Sequence, residues 1–333
     1  MLNHGLVVLI ISIAVIFDYV NGFHDAANSI ATIVSTRVLS VTQAVTLAAG
    51  FNFLAALLLG TGVASTVGTG FVNTSIVTPY IILAALIGAI VWNLATWYFG
   101  LPISSSHALI GGYAGAALAK AGGQGIIVGK WPTTIVFIVL APVIGLVLGY
   151  SLMLALYWVF RRFTPAKLDR IFRHFQVLSA ALLSCAHGSN DAQKTMGIIT
   201  AVLVSSKIQS SFRVPDWVIV LSAVAMGLGT LSGGWRVVRT MGTRLTHLKP
   251  RSGFCAETGA AISILFATRL GLPVSTTHVV AGAIAGVGSI QRVRAVRWTV
   301  AGNIVLAWIL TIPAAALMAA LSFFLVRLVV GDA

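Results

Sequence analysis

Charge is scarce in this chain, and acid scarcest of all. Only 8% of its 333 residues are charged and only seven are acidic, where soluble domains carry about a quarter charged residues. So little charge excludes a soluble globular protein, because the apolar surface could not be hidden from water. Cysteine is nearly absent. Cys185 and Cys255 both lie in or beside apolar stretches and form no disulfide framework. No HExxH and no Cys/His ligand spacing occurs, so a fixed metal centre or any other bound cofactor is not expected.

What is present is hydrophobic. Residues of that class make up 58% of the chain, and several runs exceed the ~18 residues needed to cross a bilayer. They include Leu6 to Phe17 with its continuation to Val34, Val41 to Val67, Thr133 to Phe160 and Trp298 to Val326. The first run lacks a basic leader and a cleavage site, so it reads as a mature helix. The expectation is an all-α polytopic membrane protein. The net charge of +14 comes from three basic clusters, around Arg161 to Arg173, Arg236 to Arg251 and Arg292 to Arg297. Such clusters mark cytoplasmic loops and contact with the lipid surface rather than nucleic acid.

The chain also repeats itself. Asn21 to Ile30 (NGFHDAANSI) aligns with His187 to Met196 (HGSNDAQKTM) at an offset of 166. Gly100 to Gly115 (GLPISSSHALIGGYAG) aligns with Gly271 to Gly286 (GLPVSTTHVVAGAIAG) at 171, and Thr66 to Thr69 with Thr240 to Thr243 at 174. Three motifs in one order indicate a duplication. The halves are residues 1–160 and 175–333, joined by a basic linker over 161–174. Placing the linker in the cytoplasm puts fourteen Lys and Arg inside and five outside, with both termini outside. The second repeat is then inverted relative to the first, as in secondary transporters.

Asp18, Asp25, Asp191 and Glu257 sit in or beside apolar runs, and intramembrane carboxylates mark ion pathways or proton relays. Asp25 and Asp191 hold the same repeat position. A helix broken there, with carbonyls open to a cation, is expected; helix capping by each Asp is the structural alternative. Asp18 has Ser184 at its repeat position, and either an interhelical hydrogen bond or a pathway role fits it. Glu257 stands opposite Leu86, and a cation role or a neutral acid bonded to backbone both fit.

In the two GLP motifs, Gly and Pro end one helix and Ser or Thr starts another. A re-entrant hairpin with a helix N-terminus and adjacent hydroxyls suits an anion, and two facing copies suit a tetrahedral oxyanion. Two tight turns with capping hydroxyls are the structural alternative. His107 and His278 close these motifs as anion donors, proton relays or turn locks, while His24 and His187 are weaker candidates. Gly111, Gly112, Gly115, Gly282 and Gly286 give the small-xxx-small spacing of closely packed helices. A membrane-embedded hydrolase is the alternative of another class.

These motifs, together with "TLSGGWRVVRTMG" and "GFCAETGAA", resemble the inorganic phosphate transporter (PiT) family across nearly the whole chain. The resemblance implies secondary phosphate import across the plasma membrane, inverted repeats, external termini and a homodimer. It implies that Asp25 and Asp191 are coupling acids, with Asn21, Asn28 and Asn190 as adjacent polar ligands and Glu257 as a further acid. Ser105, Ser106, Thr276 and Thr277 then hold phosphate. A sulfate permease of the same family is a neighbouring reading.

One position departs from the sodium-coupled pattern. Lys194 is the repeat partner of Asn28, where sodium-type members more often carry Asn. It resembles the bacterial branch that couples phosphate, or a neutral metal–phosphate complex, to protons. A fixed ammonium beside Asp191 disfavours a second sodium and attracts phosphate. Snorkelling to the interface, or simple pairing with Asp191, is the alternative. Proton coupling is the expectation, with sodium as the competing reading.

Overall fold

The computed structural model describes residues 4–290 and 292–331 and is almost wholly helical. The first half comprises α1 (His4–Ser35), α2 (Val41–Leu58), α3 (Gly62–Thr69), α4 (Pro79–Phe99), α5 (Ser105–Ala121) and α6 (Trp131–Val159). The second comprises α7 (Pro165–Ser205), α8 (Asp216–Ser232), α9 (Trp235–Arg239), α10 (Pro250–Arg269), α11 (Thr276–Ser289) and α12 (Trp298–Val330). By length and hydropathy α1, α2, α4, α6 and α12 are each able to span a membrane, and α8 with the helical stretch Trp235–Arg244, bent by 61°, forms either a broken sixth span or a re-entrant loop. The outer faces of α6 and α12 carry exposed Val139, Val147, Leu154, Leu317, Leu321 and Leu325, an arrangement stable against lipid and not against water.

The expected linker is shorter than its sequence suggests. Residues from Pro165 onward already belong to α7, whose 41 residues give it a length of about 62 Å, twice the roughly 30 Å hydrocarbon core. Its basic N-terminal turns therefore project beyond the apolar layer.

Helices pack across the halves in matched pairs. α1 lies on α8 and α7 on α2; α5 packs on α12 and α11 on α6. Small residues allow the last two contacts. A Cβ on Gly111 would meet the Ile312 carbonyl at 2.7 Å, and one on Gly149 the Ala283 carbonyl at 2.6 Å. Gly115 faces Ala316, while Gly282 and Gly286 face Pro142 and Leu146. The glycine spacing read from the sequence thus marks helix interfaces, and each half is closed by a helix of the other.

Candidate functional site

The two GLP motifs build matching hairpins. α4 ends at Gly100 (φ 67°) and α10 runs out at Gly271 (φ 68°), a left-handed conformation that a side chain would strain. After the proline, Ser104 Oγ accepts from His107 N and Ser275 Oγ accepts from His278 N, both at 3.2 Å. The caps are therefore Ser104 and Ser275. Ser105, Ser106, Thr276 and Thr277 occupy the first turns, with their hydroxyls released for other partners.

The helices carrying the Asp motifs are not broken. α1 and α7 run without interruption through Asp25 and Asp191, correcting the expected break. The glycines beside these acids serve packing instead: Gly22 lies against Met226 and Gly188 against Asn52. Interruptions fall elsewhere, between α2 and α3 and between α8 and α9.

At the crossing of α1 and α7, one ligand atom each from Asp25, His187 and Asp191 lies within 4.8 Å of the others. His24 Nδ1 is 2.8 Å from Asp25 Oδ1. Asn28 Nδ2 donates to Thr276 Oγ1 at 3.1 Å and Thr277 Oγ1 at 2.9 Å; Thr276 Oγ1 in turn donates to Asp191 Oδ2 at 3.2 Å. One half's helix thus holds the other half's hairpin. Lys194 is fully buried, so it does not snorkel. Its ammonium donates to Asp191, to Ser106 Oγ and to the Val274 carbonyl. Cation, carboxylate and hydroxyls from both hairpins therefore converge. Asp25, Asp191, Lys194 and the four hairpin residues are each at most 3% exposed.

His187 takes more part than its sequence register suggests. Thr230 Oγ1 donates to Met226 O and so accepts from Asn52 Nδ2. This leaves Asn52 Oδ1 facing His187 Nδ1 at 3.3 Å, which must donate. The other nitrogen, Nε2, lies 3.2 Å from Asp191 Oδ2. A neutral ring would turn a lone pair toward a carboxylate there, a mismatch that a proton or a cation between them removes. The i, i+4 spacing of His187 and Asp191 was the available sequence signal.

Other expected residues sit to the side. Asn190 Nδ2 is bound by Thr268 Oγ1 and the Leu272 carbonyl, leaving its oxygen unpartnered. Asn21 is buried one turn before Asp25 on α1, with its amide oxygen unpartnered. Ser105 donates to Asn93 Oδ1 at 2.9 Å. Glu257 belongs to a separate network, accepting from Gln176 Nε2 at 2.9 Å and from Ser179 Oγ at 2.5 Å. His107 and His278 meet edge to face at 5.0 Å, and His278 stacks on Trp308 at 3.8 Å. Pro142 cannot donate to the carbonyl of Ile138. His278 Nδ1 takes its place at 3.3 Å.

Comparison with known proteins gives the family. The model of the phosphate transporter family (PHO4) matches residues 21–319. A protein of Rhizobium meliloti named "Probable low-affinity inorganic phosphate transporter" is 56% identical over 325 residues, covering 97% of each chain. A Bacillus subtilis protein of the same name is 44% identical over 333 residues, covering 97% of this chain and 98% of its own. A solved structure named "The sodium-dependent phosphate transporter" superposes with a TM-score of 0.89 at 25% identity, covering 98% of this chain and 100% of that one. These relatives are transporters, which removes the hydrolase alternative. With 299 consecutive residues matched by one family model, this multi-pass membrane protein belongs to the phosphate transporter family.

Proposed function

We propose that the chain imports inorganic phosphate across the plasma membrane by proton symport, through two inverted repeats that rock about the Asp25–Asp191 site. Ser106, Thr276, Thr277 and Lys194 hold the phosphate, with Ser105 behind them on Asn93. Asp25 and Asp191 carry the coupling charge, with His187 beside both, and Asn28 positions the hairpin hydroxyls. Asn190 and Asn21 support the coupling side, and Glu257 acts at its own network. Both termini lie outside, at residues 1–3 and 332–333, beyond the described residues, and two copies associate.

The observation that carries the proton reading is the engagement of Lys194. Its ammonium stands against Asp191, and a sodium brought beside that carboxylate would be repelled by it strongly in a low-dielectric interior. A proton needs no such coordination shell. Moving phosphate as a neutral metal complex is the variant in which cargo brings its own countercharge.

Sodium symport is the second reading. It is favoured by the sodium dependence that the superposed structure carries in its name and by the two-carboxylate group around His187. Radiolabelled phosphate uptake into proteoliposomes under separately imposed proton and sodium gradients decides between them. Accumulation that follows sodium and ignores the proton gradient overturns the proton reading. Competition by sulfate tests selectivity, and removal of divalent metal tests the complex.

A further inference from the structure

We infer that Asp18, Asn21 and Thr195 form a second site for a monovalent coupling cation, present in one half of the molecule only. The inference rests on the cation-coupled reading above and extends it to residues outside the Asp25–Asp191 group.

Asp18 is fully buried on the face of α1 that also carries Asn21, Asp25 and Asn28. It lies against Asn21 and Thr195 and within the field of Lys194 and Asp191. Both carboxylate oxygens of Asp18, the amide oxygen of Asn21 and the hydroxyl of Thr195 are buried without a hydrogen-bond partner. Thr195 and Asn21 stand beside the carboxylate, yet neither reaches hydrogen-bond geometry with it, a costly state in an apolar interior. Lys194 is nearby but turns no hydrogen bond toward it. In this arrangement its three N–H groups point to Asp191, Ser106 and the Val274 carbonyl, on the hairpin side, and none points to Asp18. What remains is a set of four oxygens awaiting positive charge, the ligand type that a hard cation prefers.

The repeat explains why this group exists. From Asp18 to Asn28 of α1 and the matching stretch of α7, the halves differ in formal charge at two positions. Lys194 replaces the counterpart of Asn28, and Asp18 faces Ser184. Ser184 has no comparable role, because its hydroxyl donates to the Ala180 carbonyl of its own helix at 2.8 Å. One departure adds a positive charge and the other a negative one. Asp18, Asp25, Asp191 and Lys194 together carry the same net charge as Asp25 and Asp191 alone. Asp18 therefore restores the cation demand that Lys194 removes, and moves it along α1 toward the N-terminal end. A cation displaced from the side of Asp191 has a place at Asp18.

The test is a cation count on purified protein. Radiolabelled sodium binding counts a sodium occupant, and the carboxylic acid C=O band in infrared difference spectra reports a proton on Asp18. Asp18→Asn is expected to bind one sodium fewer than the unsubstituted protein, or to lack one such band. Thr195→Val keeps the volume and the carboxylate, and is expected to weaken the same occupant about tenfold. In proteoliposomes, Asp18→Asn is expected to move one charge fewer per phosphate. Equal sodium counts and identical bands in all three proteins overturn the inference. Should Asp18→Asn fail to fold, an unchanged cation affinity in Thr195→Val overturns it by itself. Unsubstituted protein that moves no phosphate sinks the transport reading instead, and the direct cation count still decides this one.

Discussion

Lys194 and Asp191 stand one turn apart on α7, and the ammonium joins that carboxylate to Ser106 on the hairpin of the other half. The pair is thus both a buried ion pair and a cross-repeat tie. Lys194→Gln strands a carboxylate, and Asp191→Asn strands an ammonium. Each single substitution is expected to cost about 3–5 kcal/mol, because breaking a buried pair leaves an uncompensated charge. The double substitution removes both charges and is expected to cost at least ~1 kcal/mol less than the sum. Thermal unfolding in detergent measures all three. Strictly additive losses would show that the two groups do not act as a unit.

Asn28 donates to both Thr276 and Thr277. It therefore fixes which way these hydroxyls point, and so what they offer a phosphate oxygen. Asn28→Ala removes both donors without adding charge. The apparent KM for phosphate is expected to rise about tenfold, the worth of one to two net hydrogen bonds. Asn28→Asp sets a negative charge beside the proposed anion site and is expected to be worse. Initial uptake rates against phosphate concentration give the answer. An unchanged KM in Asn28→Ala would remove this residue from the site.

Much of this was legible in the sequence, for a physical reason. Motifs that obey local chemistry, such as Gly before Pro before Ser, declare their turn directly; Gly100 and Gly271 take the φ values that chemistry asks for. Small residues at helical spacing likewise announced the α5–α12 and α6–α11 interfaces. The misreadings came where a residue has two uses. Glycine beside Asp25 and Asp191 can loosen a helix or admit a neighbour, and only the neighbours Met226 and Asn52 decide for the second. Partners such as Asn93, Asn52 and Thr268 were invisible because their bonds join distant positions.

The glycine interfaces make a matched prediction. Gly111→Leu would drive a side chain into the Ile312 backbone of α12, and Gly149→Leu into the Ala283 backbone of α11. Each is expected to lose about 1–3 kcal/mol by overpacking. Gly302 of α12 is the control, since a Cβ there meets nothing within 4 Å. Gly302→Ala is expected to be neutral or to stabilise by up to about 1 kcal/mol, because alanine loses less backbone freedom in a helix. Unfolding temperatures compare the three. Equal losses in all would mean that membrane insertion, not helix contact, sets the penalty.

The basic end of the molecule opens toward the Glu257 network. A cavity of about 910 Å³ opens there, lined among others by Thr36, Arg37, Arg239, His247 and Lys249. Thr36 donates to Gln176 at 2.9 Å, and Gln176 donates to Glu257. The cavity thus ends on the Glu257 network, while the ion pair of Arg251 and Asp169 at 2.7 Å ties α10 to α7 at its rim. Clustered cations at such a mouth raise the local concentration of anions. Arg239→Gln with Lys249→Gln is expected to lower phosphate affinity from that side several-fold at low ionic strength. At roughly 1 M salt the Debye length falls to about 3 Å, and the difference is expected to vanish. Efflux from preloaded proteoliposomes of defined orientation reads this directly. A deficit that persists at high salt would mean that these side chains bind phosphate by contact rather than draw it by field.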